Sequence, residues 1–192
     1  MTFWQDPSLE PKRQFKFILS IPGGLNAPQG IKQFLIKKVK KPSWNTTETE
    51  HKFLNHSFWY PGRTQWDPID VTVVDTVDPS ANATQQIMHI LEESGYSLPT
   101  EPGASAGAGW NTVSKAKAIA DGLGKVTIKT IDASGAIVEE WNLNNAWVQK
   151  ADFGEYSYDT EELVEVTMTL RYDNAFVNVK NGDGAIPFSS AT

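Results

Sequence analysis

FLNHSFWYPGRTQWDPIDVTVVD, residues 53–75, reads as two extended segments joined by a turn. Phe58, Trp59 and Tyr60 are aromatic residues of the kind enriched in strands. Pro61-Gly62 is a strong turn pair, because proline presets one φ and glycine tolerates a positive one. From Ile69 to Asp75 the pattern has period 2, with Val71 and Val73 on one face and Asp70 and Thr72 on the other.

Working outward towards the N-terminus, Thr46 to Tyr60 extends the first segment into a strand. Ile31 to Val39 is another, with lysines thickening towards Lys40 and Lys41. Lys37, Lys38, Lys40 and Lys41 could form a nucleic-acid patch. On a strand entering a turn at Pro42, a solvated or interface edge is the better reading, since lysine guards strand edges against uncontrolled pairing. Phe15, Phe17, Leu19 and Ile21 alternate with Gln14, Lys16 and Ser20, a half-buried strand. Met1 to Lys12 reads as an arm carrying Phe3 and Trp4, aromatics that must dock on their own domain or on a neighbour.

Towards the C-terminus, Asp78-Pro79-Ser80 opens a helix capped by Ser80 or Asp78, with Ile87, Ile90 and Leu91 as its apolar face and Gly95 as its stop. Residues 96–111 are rich in Gly, Ala, Ser and Pro, and a short second helix follows over Thr112 to Gly122. Lys125 to Asp132, the turn Ala133-Ser134-Gly135, and Ala136 to Asn142 make a hairpin. Trp141, Leu143 and Trp147 then lead through a loop around Phe153-Gly154. In Glu161 to Asp173, Val164, Val166, Met168, Leu170 and Tyr172 face inward while Glu165, Thr167, Thr169 and Arg171 face outward. Asn174 to Thr192 reads as a polar tail, ordered only if a partner holds it. The expected fold is mainly β: a β-sandwich or partly closed barrel of antiparallel sheets with a flanking α-helix.

The 192 residues fit one domain with a real core. Seven Trp, five Tyr and nine Phe suit cores and interfaces alike. Without cysteine there is no disulfide and no thiolate chemistry. The N-terminus lacks the apolar run of a signal peptide, and no apolar stretch is long enough to span a membrane. The sequons at Asn45, Asn55 and Asn82 are therefore read as chance. Net charge is −6, unevenly spread: residues 1–60 hold nine Lys/Arg against four Asp/Glu, and residues 61–192 eight against nineteen. The split is plain scatter of solvated faces or a dipolar surface for self-association.

Candidate chemistry is thin. Gly103-Ala104-Ser105-Ala106-Gly107 matches the hydrolase elbow G-x-S-x-G, which would make Ser105 a nucleophile. The elbow needs a strand before the serine, and Leu98-Pro99-Thr100-Glu101-Pro102 cannot be a central one. His51, His56 and His89 form no H-x-x-x-H, so zinc is not expected. His89 stands at helical pairing distance from Glu92 and Glu93. Asp67, Asp70, Asp75 and Asp78 lack calcium-loop spacing, and Gly122-Leu123-Gly124-Lys125 lacks the Walker pattern. Trp66 and Trp110 could stack on sugars or bases, the basis of a carbohydrate-binding alternative. The residues by themselves lead to a β-rich, self-associating or partner-binding module, with no catalytic, metal or cofactor site.

The stretch at 53–75 also resembles the tail tube proteins of contractile-tailed, T-even-like bacteriophages. Phe53, Asn55, Gly62-Arg63, Trp66-Asp67 and Val71-Thr72-Val73-Val74-Asp75 fall in that family's order. Phe15-Lys16-Phe17-Ile18, Phe34 to Pro42, Lys125 to Trp147 and Tyr158 to Tyr172 bracket it colinearly over about residues 13–173. The loop at 96–111 and the residues from Asn174 onward are longer than the family's pattern.

The resemblance implies an arm over 1–12, a tube-like β domain over 13–173 and an extension over 174–192. It implies homohexameric rings stacked head to tail, whose sheets join around a lumen that conducts the phage genome without sequence-specific binding. Implied partners are the tail sheath, baseplate, tail terminator and tape measure proteins, with no membrane. The implied location is the virion tail, assembled in the host bacterial cytoplasm. A tube initiator or tail-completion protein, or a tube protein of a bacterial contractile injection system, is the alternative within the same fold. By the same analogy Lys40 to Tyr60 reaches a neighbouring subunit, with Trp44, Phe53 and Phe58 as contacts there and Phe3 and Trp4 docking from the arm.

Overall fold

The computed structural model describes residues 10–24, 30–97, 111–159, 161–181 and 184–187, with side chains up to residue 179. Two open antiparallel sheets stack around one core. The first has the order β1 (Phe17–Ser20), β6 (Val126–Ile131), β7 (Ile137–Asn144), β10 (Asn174–Asn181) and β11 (Gly184–Pro187). The second has the order β2 (Ile36–Val39), β5 (Ile69–Val74), β9 (Glu165–Arg171) and β8 (Trp147–Asp152). Among the described residues β3 (Trp44–Phe53) and β4 (His56–Trp66) pair only with each other, as a separate ribbon. The chain is thus mainly β, as expected, in sandwich form; neither sheet closes into a barrel among the described residues.

Alternation builds the core. Ile69, Val71 and Val73 of β5 and Val166, Met168 and Leu170 of β9 are fully buried, opposite Leu19, Val126, Ile128 and Leu143 of the five-stranded sheet. Register pairs Val71 with Met168 and Val73 with Val166, so every second residue of both strands lands on one face. α1 (Ala83–Glu93) adds Ala83, Ile87 and Ile90 to this core.

Its cap is Asn82, whose Oδ1 accepts the Gln85 N–H at 2.7 Å, not Asp78 or Ser80. Those two residues form the preceding turn, in which the Asp78 carboxylate accepts the Ser80 N–H. Asp75, at the end of β5, accepts from Ala83 N–H at 2.8 Å and from the Thr84 hydroxyl at 2.7 Å, tying strand to helix start. Gly95, at φ +102°, ends the helix as expected. The second helix is one α-turn, α2 (Lys115–Lys117), running into a π-helical segment, Ala118–Leu123.

Several expectations are corrected. Pro61-Gly62 is not a turn: both residues lie inside β4, and the chain reverses at Leu54-Asn55, with Leu54 at φ +53°. Gly62 and Arg63 stand together opposite Thr47, a bulge that absorbs the proline without ending the strand. The strand expected from Ile31 shrinks to Ile36–Val39, because Gln33–Leu35 makes a 3-10 turn that buries Leu35. Phe15 precedes β1 and is exposed. The loop around Phe153-Gly154 is present as expected, and an additional edge strand, β8, leads into it from Trp147. The polar tail expected from Asn174 begins as β10, paired with β7 from Asn174↔Asn144 to Val179↔Glu139.

Candidate assembly interface

The feature that stands apart is the ribbon. Its strands of 10 and 11 residues extend about 30 Å from the sandwich at ~3.3 Å per residue. Its base is tied to the domain: Asp67 N–H donates to Ser43 O at 2.9 Å, and the Ser43 hydroxyl donates to the Asp67 carboxylate at 3.0 Å. Trp66 packs beside Tyr172 at a ring-centroid distance of 6.0 Å. Beyond that base the ribbon is solvent-exposed along almost its whole length.

Cross-strand partners share a face. Phe53↔His56, His51↔Phe58 and Thr49↔Tyr60 fill one face; Glu50↔Trp59, Lys52↔Ser57 and Trp44↔Trp66 fill the other. The expected contacts therefore divide: Phe53 (61% exposed) and Phe58 (49%) share a face, and Trp44 (61%) is on the opposite one. Leu54, Trp59 and Tyr60 are exposed too and were not singled out from the sequence, although Trp59 and Tyr60 stand within its aromatic run. An isolated two-stranded hairpin is marginal in water. This much bare aromatic surface on such a ribbon marks it as a candidate interaction surface.

The sheets contribute edges. β2 and β8 bound the four-stranded sheet, and each has one side without a strand partner among the described residues. On β2, Lys37 pairs with Glu165, whose carboxylate raises the lysine pKa, and Lys41 beyond it reaches Glu139 at 2.7 Å. Two of the four lysines in the basic run thus face carboxylates, which weakens the nucleic-acid reading of that run.

Glu139 lies on the core face of β7. Burial by itself would raise its pKa; donors from Lys12, Lys41 and the Trp141 indole outweigh this and hold it at about 2. Between ribbon base and α2 lies a cleft of about 650 Å³, bordered by Gln65, Trp66, Lys115, Trp147, Arg171 and Tyr172. Across it Lys115 binds both carboxylate oxygens of Asp173 at 2.7 Å.

The remaining candidates are dispersed. His89 is exposed on α1, 3.7 Å from Glu92. His51 and His56 share the ribbon face already described. Asp67 and Asp75 bind the backbone and hydroxyl groups named above, while Asp70 accepts from the Thr169 hydroxyl. Among the described residues no three potential metal ligands cluster, and no helix is long and apolar enough to cross a membrane. Phe3, Trp4, Ser105 and Trp110 lie outside the described residues.

No family model and no curated protein matches the sequence. Solved structures do. The anti-feeding prophage cap, an AFP tube-terminating cap, superposes with TM-score 0.58 at 17% identity over 94% of this chain and 100% of that one. A chain from the sheath-tube complex of an extracellular contractile injection system, PVC, gives 0.55 at 16% identity over 94% and 99%. A chain from the PVC sheath/tube terminator gives 0.57 at 16% over 89% and 99%. The two stacked sheets, the flanking helix and the matched lengths assign this chain to the tail-tube-like fold.

Proposed function

We propose that the chain is a structural, non-catalytic ring subunit of a contractile tail or injection particle, assembling with copies of itself into hexameric rings that stack into a tube. The observation that carries this reading is the free-standing ribbon with aromatic residues bare on both faces. Trp44, Phe53 and Phe58 dock it on a neighbouring copy, with Phe3 and Trp4 of the arm adding a second contact. The edges of β2 and β8 pair from copy to copy, so that closure around the ring leaves no strand edge free. Stacking is head-to-tail association, which produces open filaments. The excess of basic residues in the first 60 positions and of acidic ones beyond supports attraction between successive rings.

In a phage tail the lumen conducts the genome to the host, and an acidic wall keeps DNA from adhering because no counterions are released. Sheath, baseplate, terminator and tape measure proteins are its partners in the virion, and assembly takes place in the host cytoplasm. A second reading, a tube-terminating cap, is favoured by the match along the whole length of the AFP cap. Negative-stain electron microscopy over a concentration series tests both. Long tubes with a central channel support the repeating subunit, and single rings that halt growing tubes support the cap. Particles that stay monomeric even when offered preformed tube ends refute both.

A further inference from the structure

We propose that Glu139 is a positioning residue, a latch that fixes through Lys12 and Lys41 the directions in which the N-terminal arm and the ribbon leave the sandwich. Resting on the assembly reading above, this assigns to one buried side chain the alignment of both docking elements. Glu139 sits on the middle strand of the five-stranded sheet, its side chain only 7% exposed. Neither of its cations is local: Lys12 is 127 residues away and Lys41 is 98. Lys12, at the foot of the arm, binds Oε2. Lys41, three residues before the ribbon opens at Trp44, binds Oε1 at 2.7 Å, beside the Trp141 indole N–H.

Both lysines are about half exposed, so each would be free to swing in water without this partner. The carboxylate cannot leave its site to follow them, because β7 is held by β6 and β10 on either side. A buried carboxylate needs paired cations, and one whose two lysines come from distant segments ties both segments to a single point of the sheet. The strand-level partners of Glu139, Thr130 and Val179, offer no charge that could substitute.

The test is hydrogen exchange on the full chain, kept dilute enough to stay unassembled, comparing Glu139→Gln, Lys12→Met and Lys41→Met. Glu139→Gln is expected to raise exchange at least about tenfold in both residues 10–16 and 41–48, the scale of losing charge-assisted hydrogen bonds. Lys12→Met is expected to loosen only the first segment and Lys41→Met only the second, with β5 and β9 still protected. Unchanged exchange in both segments, or an equal rise across β5 and β9, overturns the latch. The two lysine variants keep the test decisive if Glu139→Gln fails to fold. Because this readout is on single subunits, it decides the latch even where no ring forms, a failure belonging to the assembly reading alone.

Discussion

Gly62 faces Thr47 across the ribbon so closely that a Cβ on the glycine would lie 2.4 Å from the threonine Oγ1. That same Oγ1 accepts the Arg63 N–H at 3.0 Å, holding the bulge closed. Gly62→Ala is therefore expected to rotate Thr47 and cost that hydrogen bond, about 1 kcal/mol of ribbon stability. Because the ribbon stands apart from the core, the Tm of the subunit should barely move while ring yield falls. Calorimetry and particle counts on one preparation check this.

Trp44→Ala combined with Phe53→Ala should impair assembly far more than monomer stability, since both side chains are already in water in the isolated subunit. Phe58→Ala should act in the same direction. Sedimentation velocity gives the assembled fraction and thermal melts give stability. Equal loss of both quantities would return these residues to a core role.

Met168→Ala is the opposite case. The side chain is fully buried between the sheets, so truncation should cost about 2–5 kcal/mol. Urea denaturation should show a midpoint shift without a change of slope. Rings should vanish only where the subunit itself has unfolded.

Helix α1 should depend on its cap. Asn82→Ala removes the acceptor of the Gln85 N–H and should cost about 1 kcal/mol. Asp75→Ala removes the acceptor of the Ala83 N–H and the Thr84 hydroxyl and should cost at least as much. Circular dichroism melts of both variants measure the loss.

Acid stability follows from depressed carboxylates. For Asp75, burial raises the pKa, and hydrogen bonds from the Thr84 hydroxyl and the Thr76 and Ala83 amides outweigh it. Glu139 falls from 4.5 to about 2. A group with a lowered folded-state pKa stabilises fully above its unfolded value, and that share is lost as pH falls through the folded value. Stability should hold from neutrality to pH ~4.5 and decline towards pH ~2. Glu139→Gln should flatten that decline in an acid titration followed by tryptophan fluorescence.

Strand β9 was legible because Val166, Met168 and Leu170 alternate with threonines and arginine, and burial on one face enforces that period. Ile87 and Ile90 likewise announced the inner face of α1. The ribbon turn was misplaced because Pro61-Gly62 is the stronger local signal, yet register and the Thr47 bulge decide where the chain reverses. Strand β10 reads as tail because Asn174, Asn178 and Asn181 surround its short apolar run and Gly, Ser and Pro follow, and only pairing with β7 reveals a strand. Glu139 was invisible for a different reason: its partners are distant in sequence, and nothing local marks a glutamate on a core face.

Pro61, placed within β4 and lacking an N–H, also bears on time. It sits beside a bulge, and the face opposite Phe53 carries Glu48, Glu50 and Lys52. Proline, bulge and charge are the devices that stop bare strands from pairing with whatever strand they meet. Two free ribbons colliding in solution are thus poor templates for each other, whereas the proposed docking on a neighbouring ring would need a surface complementary to these features. On the assembly reading proposed above, nucleation is expected to be slow and growth from an existing end fast. A ring subunit built this way would leave the moment and the place of polymerisation to whatever presents the first end.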